Sequence, residues 1–420
     1  MRWIFSWPLW LLLALPTLAQ SLPDPGPLIA EVLATHPSVR KAQHGVAAAE
    51  ATLSGSRSQP NPTLTLAATA GDAGEDSNAL TQTFEISGQP RLRHEQAQAQ
   101  LESARLQLRW ARRQVAGTVC ADWLEIWESQ HLAMLARLRL DLMNDMVRVG
   151  RRRYEVGEIP QNESLRVELA AAEAEADWKR AEAAYASAQR SLGLLRGLLK
   201  EEMPALDPLP PDSAMVVFDP PSLTSTQAPW SLEQVLAGAE GHFQVEAIRQ
   251  EQKATLLAAE LLGKERAPQL GVSLYRSEFF GTNIEQGAQL FVSWPLFDWG
   301  SLSARKRAQL SQAEAKLAEA DEKVLELRRQ VAGLWNDWQA SQAVRAILEV
   351  QAKRYEELAR EARVGYDLGL LTLTDVLQTE TSFRQAGVDL IKVQAEVYRL
   401  ELGLLEHTNL PWPSHLLEEP

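Results

Sequence analysis

Arg112-Arg113-Gln114-Val115-Ala116-Gly117 recurs letter for letter as Arg328-Arg329-Gln330-Val331-Ala332-Gly333. Working outward, Tyr154-x-x-Gly157 recurs as Tyr366-x-x-Gly369, followed at equal distances by Glu163 and Asp375, Leu165 and Leu377, Glu168 and Glu380. Upstream, Gly88 with Arg93 matches Gly300 with Arg305, and Pro62 ahead of one alternating run matches Pro268 ahead of another. One short match is compatible with chance; four in the same order define a unit written twice. The glycine pairs are 212 residues apart and the hexapeptides 216. The difference is about one helical turn, so both alignments keep the same helix face and the sequence does not choose between them.

Each unit reads as a helix, two strands, a very long helix and a returning helix. The first spans 20–200, with helices expected over 28–58, 89–157 and 161–199 and strands over about 62–70 and 79–87. The second spans 230–412, with helices over 232–265, 301–369 and 372–408 and strands over about 268–278 and 285–296. Between them, 201–229 holds seven prolines and little periodicity, which reads as a linker or an irregular outer segment. Residues 413–420 are a tail.

The strands rest on alternation. Leu270, Val272 and Leu274 share one face, as do Leu290, Val292 and Trp294 across a loop at Phe279–Glu285. Thr63-Leu64-Thr65-Leu66 and Leu80–Ile86 alternate likewise, around a polar, Gly-rich turn. Their length suits a tilted membrane strand of about 9–11 residues, and equally a soluble hairpin lying on helices; alternation leaves both open. From Ser301 to Gly369 there is no proline, and from Gln89 to Gly157 only Pro90, at the start. Such a stretch makes a helix of about 100 Å, too long for the core of a globular domain. Leu317, Val324, Val331 and Trp338 fall at one heptad position and Ala320, Leu327 and Leu334 at the other. Leu101, Leu108 and Val115 with Ala104, Ala111 and Thr118 repeat that register, so antiparallel coiled-coil hairpins are expected.

Composition narrows the function classes. The 420 residues allow two or three domains at roughly 150 residues each. A net charge of −13 argues against nucleic acid as a partner. Cys120 is the one cysteine, which excludes a disulfide framework, a thiolate zinc site and an N-terminal lipid anchor. Met1-Arg2, an apolar run from Trp3 to Leu18 and Thr17-Leu18-Ala19 ahead of Gln20 have the layout of a cleaved signal peptide over 1–19. The run is shorter than the roughly 20 residues a spanning helix needs, so any insertion into a bilayer must use β-strands. Histidines 36, 44, 94, 131, 242, 407 and 415 include no i, i+4 pair and no HExxH, and no phosphate loop or activated nucleophile is present. No metal site, cofactor or enzymatic activity is expected. Arg148 and Arg151–Arg153 form a run that reads as a docking patch for an acidic surface or as solvated helix face. Trp123, Trp127, Trp335 and Trp338 read as core; Trp294 and Trp299, at a strand end, as members of an aromatic girdle.

Gly365-Tyr366-Asp367-Leu368-Gly369 running into Thr374-Asp375-Val376-Leu377, and Trp294-Pro295-Leu296-Phe297-Asp298 ahead of Gly300, resemble the outer-membrane efflux proteins of the TolC family over essentially 28–412. Gln59-Pro60-Asn61-Pro62, with Glu85 and Gly88, looks more like its heavy-metal, cobalt–zinc–cadmium branch than the drug branch. The resemblance implies a mainly α fold with β: a homotrimer of coiled-coil hairpins, whose β-hairpins close a 12-stranded outer-membrane barrel above a periplasmic α-barrel. It implies a channel in outer-membrane lipid, meeting a periplasmic adaptor and an inner-membrane pump of the resistance-nodulation-division type. By resemblance, Gly157 and Gly369 make the tip turns, with Tyr154 and Gly365 beside them at the adaptor contact. Asp375 matches the aperture aspartate, whose three copies would form an acidic ring, and Glu163 and Tyr366 match members of the closing network. Asp375 reads equally as a helix N-terminal acid. Leu371 stands where the family archetype has arginine and Gln378 where it has a second aspartate. A periplasmic coiled-coil scaffold outside the lipid is the other reading of the same pattern.

Overall fold

The computed structural model describes residues 24–67, 75–197, 230–279 and 283–417; the signal peptide, the proline-rich linker and the end of the tail lie outside them. The chain order is α1 (Pro25–Thr35), α2 (Pro37–Gly55), β1 (Thr63–Ala67), β2 (Glu75–Phe84), α3 (Gln89–Glu155), α4 (Gln161–Leu195), α5 (Leu232–Glu240), α6 (Phe243–Lys264), β3 (Gln269–Phe279), β4 (Asn283–Ser293), α7 (Ser301–Asp367) and α8 (Leu373–Glu406). The chain is mainly helical, with one sheet.

Two expected helices are each a pair. The stretch 28–58 breaks at His36-Pro37, because proline has no N–H to continue the ladder but suits the first position of a new helix. The stretch 232–265 breaks at Gly241-His242. Both new helices are capped by histidine: His36 Nδ1 accepts from the Ser38 N–H and His242 Nδ1 from the Gln244 N–H, each at 3.3 Å. β2 and β4 both begin earlier than alternation suggested, at Glu75 and Asn283, and β4 ends at Ser293, ahead of Trp294.

The helices α3 and α7 are each 67 residues long. Both follow a glycine with positive φ (Gly88, +89°; Gly300, +81°) and both stop ahead of another (Gly157, +78°; Gly369, +76°). The 212-residue offset therefore fits both ends, and the hexapeptide lies one turn later in α7. Its surroundings differ accordingly. Arg113 is 1% exposed and Gly117 lies against Glu406, whereas Arg329 is exposed and Gly333 faces open space.

The sheet order is β1-β2-β3-β4, every neighbour antiparallel. The β2–β3 ladder, from Glu75 opposite Phe279 to Phe84 opposite Leu270, joins the two repeats into one sheet. One face carries Leu64, Leu66, Leu80, Leu274, Leu290 and Val292, all exposed, Leu290 by 81%. The other carries Thr63, Thr65, Thr81, Ser273 and Gln289, with the Thr81 and Ser273 hydroxyls 3.0 Å apart. The outer edges of β1 and β4 have no partner among the described residues.

On that second face, aromatic rings cover glycines directly across the β3–β4 ladder: Phe291 over Gly271 and Tyr275 over Gly287. A Cβ at Gly271 would overlap the Phe291 ring, while one at Gly287 would lie 2.9 Å from the Tyr275 hydroxyl. Gly271→Val is therefore expected to destabilise the sheet by about 2–3 kcal/mol, through forced displacement of the ring, and Gly287→Ala by less than about 1.5 kcal/mol. Urea midpoints of the two variants, read by tryptophan fluorescence, check the order.

Two compact units divide the described residues. One lies within Met1–Leu28, Asp122–Ser222 and Arg345–Ala395, the other within Ile29–Ala121, Leu223–Val344 and Glu396–Pro420. The first is cored by Leu140, Met143, Val167, Tyr366, Leu373 and Val376; the second by Val235, Val245, Leu327, Val331, Trp335 and Leu404. Trp123 and Trp127 are buried, and half-buried Trp338 donates Nε1–H to Glu401 at 3.0 Å. Leu317, expected in the seam, is 44% exposed: the apolar stripe of α7 is wider than one chain covers. No described helix is long and apolar enough to cross a membrane.

Candidate functional site

The two helix–helix turns, where α3 passes to α4 and α7 to α8, are built alike. The Gly157 N–H donates to the Tyr154 carbonyl (2.9 Å) and the Glu158 N–H to the Arg153 carbonyl (2.8 Å). The Gly369 N–H donates to the Tyr366 carbonyl (3.0 Å) and the Leu370 N–H to the Gly365 carbonyl (2.7 Å). This is the paired 5→2 and 6→1 closure of a Schellman motif, which needs a left-handed residue and so favours glycine at the turn. Below each turn an ion pair ties the two arms: Arg151 to Glu168 at 2.9 Å and Arg363 to Glu380 at 2.5 Å. These pairs obey the same 212-residue offset.

The side chains differ between the turns. Tyr154 is 44% exposed; Tyr366 is 5% exposed, within the core of its unit. Arg153 joins the two hairpins. Its guanidinium lies 4.5 Å from the centre of the Tyr366 ring, and its Nη2 donates to the Tyr366 carbonyl at 3.2 Å. The structure thus sets Arg153 against the tyrosine that the sequence paired with Glu163. Glu163 sits half-buried in the first turn of α4, a position favoured for an acid by the helix dipole. The arginine run is not a bare cationic patch: Arg148 pairs with Asp145, Arg151 with Glu168 and Arg153 with Glu158.

Leu371 packs on Gly365, where a Cβ would lie 2.9 Å from its Cδ1, so the archetypal arginine position is filled by apolar packing inside the turn. Asp375 is exposed and closes a capping box with Thr372. Its Oδ2 accepts from the Thr372 N–H (3.0 Å) and hydroxyl (2.6 Å), while its own N–H donates to Thr372 Oγ1 (3.3 Å). The Thr372 side-chain and backbone bonds hold its carboxyl below the usual aspartate range. Asp375 is therefore a helix-capping acid and a fixed surface charge at once. The second turn also displays Leu368 and Leu370, 69% and 76% exposed, and the first displays Val156, 71% exposed. The sequence placed Arg153 in a basic run and not against Tyr366, and gave no sign of this apolar fringe.

Among the described residues, no three His, Cys, Asp or Glu side chains converge as a metal site would require. At the sheet end, Gln59 Oε1 accepts from the Glu85 N–H (2.9 Å), and Arg93 pairs with Glu85 at 2.5 Å, so the stretch 59–62 fastens the base of the first hairpin. Trp294 donates Nε1–H to the Arg266 carbonyl (3.1 Å), and Trp299, at φ +51°, is 98% exposed.

The chain thus combines paired helical hairpins that end in glycine turns with a four-stranded sheet whose outer edges have no partner among the described residues. The chain belongs to the outer membrane efflux protein family, whose sequence model matches residues 28–198 and 239–409. The two matches coincide with the two repeats. No curated protein matches the chain in sequence. Its fold is shared with the outer-membrane channel OprN (18% identity, TM-score 0.73, covering 92% of this chain and 89% of that one). It is shared also with CusC (15%, 0.72, 91% of each) and with the outer membrane protein VceC of Vibrio cholerae (21%, 0.69, 90% and 94%).

Proposed function

We propose that this outer membrane efflux protein is the passive exit duct of a tripartite exporter. It works as a homotrimer, exported by a cleaved signal peptide and spanning the outer membrane into the periplasm. There its helix tips meet an adaptor and an inner-membrane pump of the resistance-nodulation-division type. The observation that carries the reading is the sheet: an exposed apolar face, an opposite face of hydroxyls and two aromatic rings, and two edges without a partner among the described residues. Unpaired edges cannot stand in lipid, and three copies of a four-stranded sheet close a barrel of twelve. The exposed apolar turn residues Val156, Leu368 and Leu370 suit the adaptor contact beside Tyr154, Gly157, Gly365 and Gly369. Metal cations are the proposed cargo, in keeping with the heavy-metal resemblance at Gln59-Pro60-Asn61-Pro62 and with an acidic aperture.

Three Asp375 carboxylates around a threefold axis would form a ring that favours cations. Asp375→Asn keeps one acceptor oxygen for the cap and removes the charge. Purified channels in planar bilayers are expected to be cation-selective, with the potassium-to-chloride permeability ratio falling about threefold in the variant. A protein that fractionates as a soluble periplasmic species and never conducts would return the scaffold reading to first place.

A further inference from the structure

Asp177, on α4, is shared by three guanidinium groups: Arg139 of α3 at 2.7 Å, Arg384 of α8 at 2.7 Å and Arg180 at 3.1 Å. A carboxylate has lone pairs enough for three donors, so the geometry is satisfied while the charge is not. Two positive charges remain uncompensated within the cluster. Arg180 is largely solvated, at 77% exposed, but the other two arginines are not: the Arg139 side chain is 13% exposed, Asp177 17% and Arg384 31%. Burial first, and then repulsion from Arg139, push the Arg384 guanidinium below its ordinary range. The neighbouring pairs do not relieve the excess, since Arg363–Glu380 and Arg360–Glu356 are matched one to one.

Arg139 and Arg384 line a cleft of about 220 Å³ between α3, α7 and α8. Its apolar wall includes Leu138, Leu142 and Phe383. Leu138 is 43% exposed. All these residues lie in one compact unit. The cleft therefore joins two features rarely adjacent on a coiled-coil surface: a surplus of guanidinium forks and an aromatic and aliphatic wall.

We propose that this cleft binds a small monocarboxylate with a single-ring or short aliphatic body, its carboxylate on Arg139 and Arg384 and its body against Leu138, Leu142 and Phe383. The planar guanidinium matches a carboxylate through two parallel N–H···O bonds, which a spherical anion cannot use. The bound carboxylate supplies one of the two charges the cluster lacks, the other belonging to the solvated Arg180. The cavity is smaller than the several hundred cubic ångströms of drug-sized pockets, which limits the body to about one ring. Asp177 competes for the same forks and sets the affinity. The proposal concerns the helical unit alone and stands or falls separately from the membrane function.

The test uses the full-length protein purified in an uncharged detergent and ¹⁹F NMR titration with 4-fluorobenzoate, 4-fluorobenzyl alcohol and 4-fluorobenzylamine, with acetate as competitor. 4-Fluorobenzoate is expected to bind at least about tenfold more tightly than the alcohol or the amine, to weaken as salt is raised, and to resist displacement by acetate. Arg384→Gln is expected to weaken it about tenfold, with Arg384→Lys between the two, because lysine keeps the charge and loses the fork. Asp177→Asn is expected to tighten binding several-fold, a direction opposite to that of a variant that merely loosens the helices. Equal binding of the three ligands, or an Arg384→Gln protein that binds as well as wild type, overturns the proposal. So does weaker binding by a folded Asp177→Asn protein. Should Asp177→Asn fail to fold, the ligand comparison and Arg384→Gln decide alone.

Discussion

In the proposed channel, Arg153→Ala is expected to shift the balance between closed and open helix tips toward open by about 30-fold, seen as a rise in open probability of single channels in planar bilayers. The interaction removed is a cation over the face of a buried tyrosine ring at 4.5 Å, plus a charged donor to that tyrosine's carbonyl at 3.2 Å. Partly desolvated cation–π contacts contribute about 1–2 kcal/mol and hydrogen bonds from charged donors about 1.5 kcal/mol or more. Terms made by one side chain do not add in full, and a combined loss of about 2 kcal/mol corresponds to about 30-fold in a two-state equilibrium. The contact ties the end of α3 to the end of α7, so its loss frees one hairpin from the other while leaving both Schellman turns intact. Controls separate the terms. Tyr366→Phe keeps the ring and the carbonyl and should conduct like wild type. Tyr366→Ala should open the tip and also destabilise the core it belongs to, while Arg153→Lys, with charge but no planar fork, should fall between. An Arg153→Ala channel with unchanged open probability would mean that the tips are held by contacts between copies and not by this pair.

How far such contacts can be read from the residues depends on how local their causes are. The turn glycines were legible because a left-handed residue three places after a tyrosine, twice over, has one inexpensive chemical solution. The long helices were legible because nothing in them breaks the ladder. Their pairing inside one unit was less so: Leu317 fits the heptad and remains 44% exposed, since a heptad records an apolar face and not what covers it. Identical letters also misled. Arg113 and Arg329 share the hexapeptide, yet Arg113 is buried over the Phe243 ring at 4.6 Å and donates to the Thr408 carbonyl at 2.8 Å, while Arg329 is exposed. One helical turn of slippage decided which arginine meets the end of α8. The β2–β3 ladder, the Arg153–Tyr366 contact and the sharing of Asp177 by Arg139 and Arg384 join residues far apart in sequence, where no spacing rule reaches. The break at Gly241-His242 was hidden for a smaller reason. Glycine is tolerated within helices, and only the imidazole accepting from Gln244 turns it into a new start.

That histidine is expected to make the protein acid-sensitive. His242 is 1% exposed. As the tautomer with its proton on Nε2 it donates to the Glu406 carbonyl (3.1 Å), while bare Nδ1 accepts from the Gln244 N–H (3.3 Å). Only the neutral ring satisfies both contacts, since protonation at Nδ1 would set one donor against another at the start of α6. Burial foremost, with lesser repulsion from His407, Arg113 and Lys323, lowers its pKa from 6.5 to about 4. The hydrogen bond to Glu406 acts in the opposite direction. Between those values the unfolded chain binds the proton and the folded chain does not, so stability is full above about pH 6.5, falls as pH drops, and is lost below about pH 4. The loss approaches about 1.4 kcal/mol per pH unit within the window and about 3 kcal/mol in all. His242→Asn retains a capping acceptor that does not titrate, and gives up the Glu406 bond at a cost of about 1 kcal/mol at every pH. Denaturant midpoints of the two proteins should therefore favour wild type at neutral pH, cross near about pH 5.8, and favour the variant in acid. Parallel curves would place the acid sensitivity elsewhere. Half-buried Glu406, whose pKa is raised by its own desolvation, is the next group to replace: ionised only at some cost in the folded state, it would stabilise the fold on protonation and so oppose His242 in acid.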